Sequence, residues 1–215
     1  QAHVDRLRQE NESESQRQEA DARRQAASER AARQRQQRID EALKQHEKLS
    51  KQRETRKKGD GDKTRVSTTD PDARKMKMAN GGYDPAFNVQ FATDADSRVI
   101  VGVDVTKAGT DGGEMTPMHE KIRSDYGKIP KKVLVDSAYA TKEGVTNVES
   151  EGTEVVSTVP RSEQLERHGK DPHSRQKGDS DEYANFRARM AEDEYRDLYK
   201  LRPSVAEFPN ADCRN

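Results

Sequence analysis

Lys131-Lys132-Val133-Leu134-Val135-Asp136 is a short apolar run that ends on a carboxylate. Three consecutive β-branched or aliphatic residues predict a buried strand, and Asp136 then stands at its C-terminal end. Ligand sites of open α/β sheets gather at such strand ends. Taken alone, Asp136 also reads as an ordinary loop residue capping the next element.

The neighbouring segments extend this reading. Phe87-Asn88-Val89-Gln90-Phe91-Ala92 alternates apolar and polar residues, as a half-buried strand should. Val99-Ile100-Val101-Gly102-Val103-Asp104-Val105 is nearly continuous in β-branched residues, and the turn-forming Asp94-Ala95-Asp96-Ser97 predicts a hairpin between the two. Met115, Met118 and Ile122 at helical spacing predict a helix from Met115 to Tyr126, stopped by Gly127. Thr141 is placed to cap a helix running to Ser150, and Glu154–Val159 reads as a further strand closed by Pro160. Residues 161–181 read as loop and 182–200 as helix with Tyr183, Phe186, Met190, Tyr195, Leu198 and Tyr199 on its apolar side. Strands alternating with helices predict an α/β domain with a mixed sheet and helices packed against it.

The N-terminal part is different. Residues 1–58 are rich in Gln, Arg, Glu and Ala, contain no Gly or Pro, and predict a long charged helical segment. Their apolar residues are too sparse for a heptad seam. Residues 59–82 carry Gly-Asp-Gly-Asp, Asp70-Pro71-Asp72 and Asn80-Gly81-Gly82, the chemistry of turns, and read as a linker. Residues 83–215 are then the folded core. With 29% hydrophobic and 37% charged residues, a core cannot extend over the whole chain, which fits this division. Residues 1–59 hold 16 Lys+Arg against 11 Asp+Glu, so a basic extension precedes an acidic domain although the net charge is zero. A solvated charged helix or a polyanion-binding arm would both look like this.

Several chemistries are poorly supported. Cys213 is the only cysteine, so neither an internal disulfide nor a zinc cluster of cysteines forms. The five histidines lack metal-ligand spacing, and Gly81-Gly82 and Gly112-Gly113 do not match a phosphate loop. No apolar run approaches the ~18 residues of a membrane span. A reducing cytoplasm, with association to the nucleoid, is the expected location.

Glu207 is the second carboxylate of interest, in Tyr199-Lys200-Leu201-Arg202-Pro203-Ser204-Val205-Ala206-Glu207, where Pro203 suits a first helical turn. By itself it also reads as a surface residue. Four segments taken in order carry a resemblance: Thr69-Asp70-Pro71-Asp72-Ala73-Arg74, Phe87-Asn88-Val89-Gln90, Val135-Asp136-Ser137-Ala138-Tyr139 and Arg202-Pro203-Ser204-Val205-Ala206-Glu207. Together they are similar to the DDE transposases of bacterial insertion sequences, over roughly residues 66–215. Tyr199, Arg202, Glu207 and Arg214 resemble that group's Tyr-Arg-Glu-Lys signature. The gap from Arg202 to Glu207 is one residue longer than usual, and Arg214 stands where Lys is usual.

The resemblance implies a ribonuclease H-like fold and metal-dependent cleavage and transfer of DNA strands at transposon ends and target. It implies Asp136 and Glu207 as catalytic, metal-binding carboxylates with Mg²⁺ or Mn²⁺ as cofactor. The family's first strand and first catalytic Asp find no counterpart here and are expected upstream of Gln1. Asp70 and Asp72 lie in a Pro-bounded loop unlike a strand end. The chain alone is therefore expected to be inactive or nearly so, and the complete protein to act as a homo-oligomer on DNA. Lys131, Lys132, Arg161, Arg202 and Arg214 are the expected phosphate contacts. A catalytically inactive DNA-binding remnant and, from another class, a helical protein-interaction module are the rival readings.

Overall fold

The computed structural model describes residues 2–78, 80–206 and 209, with side chains described from Glu19 onward. Glu207, Cys213 and Arg214 lie outside the described residues. The chain divides into two compact units, Gln1–Ala86 and Phe87–Asn215.

The first unit is dominated by helix α1, Ala2–Arg56. No Gly or Pro interrupts it, and its residues are mostly strong helix formers. Exposed i,i+4 pairs such as Lys51 with Glu47 at 2.6 Å run along its surface. Near its C-terminal end Ala42 is buried and Gln45 accepts a hydrogen bond from Arg74 at 3.2 Å. A 3₁₀ turn at Gly61–Lys63 follows, its backbone held by the Glu54 carboxylate. The segment expected as linker, residues 59–82, is not all loop. Strand β1, Arg74–Lys77, pairs antiparallel with β2, Tyr83–Ala86, around the turn at Asn80–Gly82. Alternating Arg74-Lys75-Met76-Lys77 carries too little apolar character to announce a strand. The first unit runs through β2 to Ala86.

The second unit is mixed α/β. β3 (Asn88–Thr93) and β4 (Ile100–Thr106) form the expected antiparallel hairpin, with Phe91 opposite Val103. Helix α2 (Met115–Tyr126) ends at Gly127, whose φ of 64° is the left-handed C-cap that glycine adopts at low cost. It packs on β4 where Gly102 presents no side chain: a Cβ there would lie 2.7 Å from the Met118 sulfur. β5 (Lys132–Leu134) pairs parallel with β6 (Glu154–Val156), and α3 (Lys142–Ser150) crosses between them. Thr141 caps α3, its hydroxyl accepting from the Gly144 N–H at 3.1 Å.

Beyond β6 the chain is more helical than expected. Residues 161–181, expected as loop, include α4 (Ser162–Arg167). The single helix expected over 182–200 is two, α5 (Asp181–Arg189) and α6 (Asp193–Tyr199), followed by α7 (Arg202–Ala206). The break lets both Met190 and Tyr195 turn into the core, which one straight helix would not allow. That core joins Val145 and Val148 of α3, Val155 and Val156 of β6, Phe186 of α5 and Met115 of α2.

The single mixed sheet expected from the sequence is not formed. The described strands make three separate two-stranded pairs, β1–β2, β3–β4 and β5–β6. Between β3 and β5 lies a cavity of about 650 Å³. It is lined by consecutive residues of both strands, Val89–Thr93 and Lys132–Leu134. Side chains alternate between sheet faces, so a wall of consecutive residues is a strand edge. No described strand bridges the two edges. No helix among the described residues is long and apolar enough to cross a membrane.

Candidate active site

Asp136 occupies the place its sequence predicts. The Val135 N–H donates to the Val156 carbonyl at 3.0 Å, carrying the β5–β6 pairing one residue past β5. The chain then turns, with the Tyr139 N–H donating to the Asp136 carbonyl at 3.0 Å. The carboxylate steadies that turn. Its Oδ1 accepts from the Ala138 N–H and the Ser137 hydroxyl, both at 3.2 Å, while Oδ2 lies 3.3 Å from Arg202 Nη2. The side chains of Asp136 and Arg202 are 46% and 22% exposed, so a carboxylate–guanidinium pair faces solvent at the cavity rim. Arg202, the first residue of α7, lies over the Tyr199 ring at 5.9 Å and its buried Nε has no partner among the described residues.

A polar chain adjoins the pair. The Tyr139 hydroxyl donates to the Gln90 side-chain oxygen. The Gln90 amide donates to Asp111 at 3.0 Å, and the Asn88 amide donates to the same oxygen at 2.8 Å. Burial, followed by the Asp111 charge, pushes the Tyr139 hydroxyl up to about 12, so it stays a protonated donor. This links β3, the loop before α2 and the turn after β5. Asn88, Gln90, Asp111 and Tyr139 were not among the sequence-predicted site residues. One signal for the first two was present: polar amides at i and i+2 of an apolar strand share one face. Asp111 had none, because its partners lie 21 and 23 residues away.

The predicted cations differ in circumstance. Lys131 is exposed and lines the cavity. Lys132 also lines it, but its ammonium lies 3.5 Å from Glu194, 3.6 Å from Glu154 and 4.5 Å over the Tyr195 ring. Arg161 is exposed at the start of α4 in a left-handed conformation, φ 59°, and does not line the cavity. Of the sequence-predicted residues the fold therefore joins Asp136 to Arg202, with Lys131 and Lys132 along the same cavity.

His119 is held rather than poised. It is 4% exposed, its Nε2 is 2.8 Å from the Thr153 hydroxyl and its Nδ1 is 3.4 Å from Glu151. Burial depresses its pKa, against the pull of Glu151. Among the described residues no group of three His, Cys, Asp or Glu is placed to hold a metal ion. Asp136 offers one carboxylate, already engaged by Arg202. The described residues thus do not fit a two-metal centre.

A half-buried Arg–carboxylate pair at a cavity rim can still act on an anion. The planar guanidinium matches a phosphate as well as it matches a carboxylate, so Arg202 has the chemistry to exchange Asp136 for a phosphate. No curated protein and no solved structure matches the chain. The family model described as "Transposase DDE domain" matches residues 53–205, well over half of the chain. With an acidic strand end, an arginine beside it and an α/β core in the matched region, the chain belongs to the transposase DDE domain family.

Proposed function

We propose that this chain contributes the DNA-handling core of an insertion-sequence transposase, the enzyme class that cuts and transfers DNA strands at transposon ends. In this reading Asp136 and Glu207 are two of the catalytic carboxylates, and Arg202, Lys131, Lys132, Arg161 and Arg214 contact phosphates. The observation that carries it is Asp136 at the C-terminal end of β5, paired with Arg202 at the mouth of the cavity. The ribonuclease H-like arrangement belongs to the same reading. The cavity between the β3 and β5 edges supports it, because one more strand there would join the two pairs into a single mixed sheet.

Phosphoryl transfer of this type uses Mg²⁺ or Mn²⁺ between several carboxylates, which activate the attacking oxygen and stabilise the leaving one. Of the two expected catalytic carboxylates only Asp136 is among the described residues, and they form no group of three that would hold a metal ion. What the chain's own residues do is narrower. Arg202 and Lys131 attract the DNA backbone, and phosphate takes Arg202 from Asp136, freeing that carboxylate. The Gln90–Asp111–Tyr139 chain holds the Asp136 turn in place. In this reading the protein acts as a homo-oligomer on paired ends in the nucleoid.

The lack of a metal-holding group of carboxylates among the described residues also favours a second reading, in which this chain binds DNA without cutting it. Both are tested with supercoiled plasmid and a labelled duplex. Salt-sensitive binding that weakens in Arg202→Ala, without nicking in Mg²⁺, is the expected outcome for this chain. Mg²⁺-dependent nicking that disappears in Asp136→Ala would overturn the non-cutting reading and establish Asp136 as catalytic. Absence of DNA binding at low salt would overturn both.

A further inference from the structure

Helix α1 is the largest feature that the Asp136 end leaves without a task. From Glu19 to Arg56 it carries eleven Lys and Arg and seven Asp and Glu, all exposed. Their placement around the helix is uneven. At about 100° per residue, all eleven cations fall within an arc of about 200°. The remaining arc of about 160° carries Asp21, Glu29, Asp40, Glu47 and Glu54 and no cation. Glu19 and Glu41 are the two carboxylates on the cationic side.

Within the cationic arc, Arg23, Arg30, Arg33, Lys44, Lys48 and Lys51 line up in a stripe about 80° wide. Ala42 is buried and Leu49 half-buried where α1 packs on the rest of its unit. These two lie about 80° to 100° round the helix from Arg23, on the side away from the stripe. The stripe therefore stays open to a partner. Its cations do pair locally, Arg23 with Glu19 at 3.5 Å, Arg33 with Glu29 at 3.9 Å and Lys51 with Glu47 at 2.6 Å. Exposed pairs of this kind contribute little and yield readily to a denser anion.

The spacing along the axis selects among polyanions. At about 1.5 Å per residue the stripe spans about 42 Å, and its two groups, Arg23–Arg33 and Lys44–Lys51, are centred about 28 Å apart. Duplex DNA repeats every ~34 Å, within the reach of extended Arg and Lys side chains from those two centres. An uninterrupted helix without Gly or Pro keeps both groups in register, which a flexible basic tail would not.

We propose that this stripe is a duplex-DNA contact surface, laid along the phosphate backbone over about one helical turn. The proposal rests on the DNA-handling reading of the chain and adds the surface and the form of DNA. It makes α1 a non-specific tether, because phosphate contacts position a protein without reading sequence.

The test uses the full chain and a labelled duplex of about 30 base pairs and arbitrary sequence, titrated by anisotropy between ~50 and ~200 mM salt. Two triple variants are compared, Arg23→Gln/Arg30→Gln/Arg33→Gln in the stripe and Arg24→Gln/Arg35→Gln/Arg38→Gln beside it. Both remove the same charge from the same stretch of α1, Arg23 to Arg38, and glutamine preserves helicity, verified by far-UV circular dichroism. Taking one cation away from a phosphate lowers the slope of log K against log salt by about 0.9, so the slope of the stripe variant falls by between about 2 and 3. The flanking variant is expected to keep most of the wild-type slope. Equal falls in the two would mean that bulk charge alone acts, and would overturn the stripe. Unchanged binding in both, with sensitivity to Arg202→Ala retained, would overturn the stripe while leaving the DNA-handling reading intact. Absence of binding by the wild-type chain would remove both together.

Discussion

Replacing Asp179 by alanine should unfold the second unit more readily than any surface change in it. The Asp179 side chain is 0% exposed and that of Arg187 5%, with Arg187 Nε 2.9 Å from Oδ2. Lys142 reaches the other oxygen at 2.6 Å from a side chain that is 50% exposed, and the Gln176 N–H donates at 2.8 Å. In Asp179→Ala the half-exposed Lys142 turns to water at little cost. Arg187 cannot follow. It is held under the Tyr183 ring at 4.9 Å with Nη1 on the Pro172 carbonyl at 2.6 Å, and its charge is left buried without a counter-ion. Removing one partner of such a buried pair costs about 3–5 kcal/mol. For a unit of this size that is a fall in Tm of roughly 11–18 °C.

Near-UV circular dichroism suits the measurement. The chain has no Trp, and Tyr183 and Tyr195 report on this core while α1 dominates the far-UV signal. Asp179→Ala/Arg187→Met should recover part of the loss, because no charge is then left stranded. The pH dependence has a definite sign. Burial raises the Asp179 pKa, but the hydrogen bonds from Lys142 and the Gln176 N–H and the Arg187 charge outweigh it and hold the carboxyl below its ordinary value. Its contribution is therefore present above the unfolded pKa of about 3.9 and is lost as pH falls through the folded value. Asp179→Ala should show a flatter acid limb below about pH 4. A loss smaller than about 1 kcal/mol would refute the argument, since it would mean that Arg187 finds water or another partner at no cost.

Two further outcomes follow from the polar groups near the cavity. In a spectrophotometric titration of the six tyrosines, one should ionise at about 12, disappear in Tyr139→Phe and move down in Asp111→Asn. Burial also raises Tyr183 and Tyr195, so the difference between wild type and variant is what decides, and a late limb left unchanged by Tyr139→Phe would refute the Gln90–Asp111–Tyr139 arrangement. His119, kept neutral chiefly by burial, contributes stability that is full above about pH 6.5 and is lost as pH falls, because the unfolded chain takes up the proton first. Stability measured from about pH 7 to 5 should fall less in His119→Gln than in the wild type, and parallel curves would count against the buried ring.

Local signals in the sequence were enough to place several elements. The alternation from Phe87, the β-branched run from Val99, the helical spacing from Met115 to Gly127, the Thr141 cap and the short strand just before Asp136 each depend on a few neighbouring residues, and each forms within a residue or two of where it is expected. The order of segments around Asp136 also carried the family. Tertiary structure decided what depends on distant partners. Arg74–Lys77 became a strand because Tyr83–Ala86 pairs with it, not because it is apolar. The helix expected over 182–200 divided so that Met190 and Tyr195 could both reach one core. The sheet separated at the β3 and β5 edges, since no described strand bonds to both. Asp136 is adjacent to Val135 in any reading, but its partner Arg202 is 66 residues away. Asp111, half-buried beside Gln90 and Tyr139, is part of the site only through contacts that no local pattern contains. Periodicity and capping act within a turn or two of chain, whereas a charge pair or a shared hydrogen bond exists only once packing has brought its ends together.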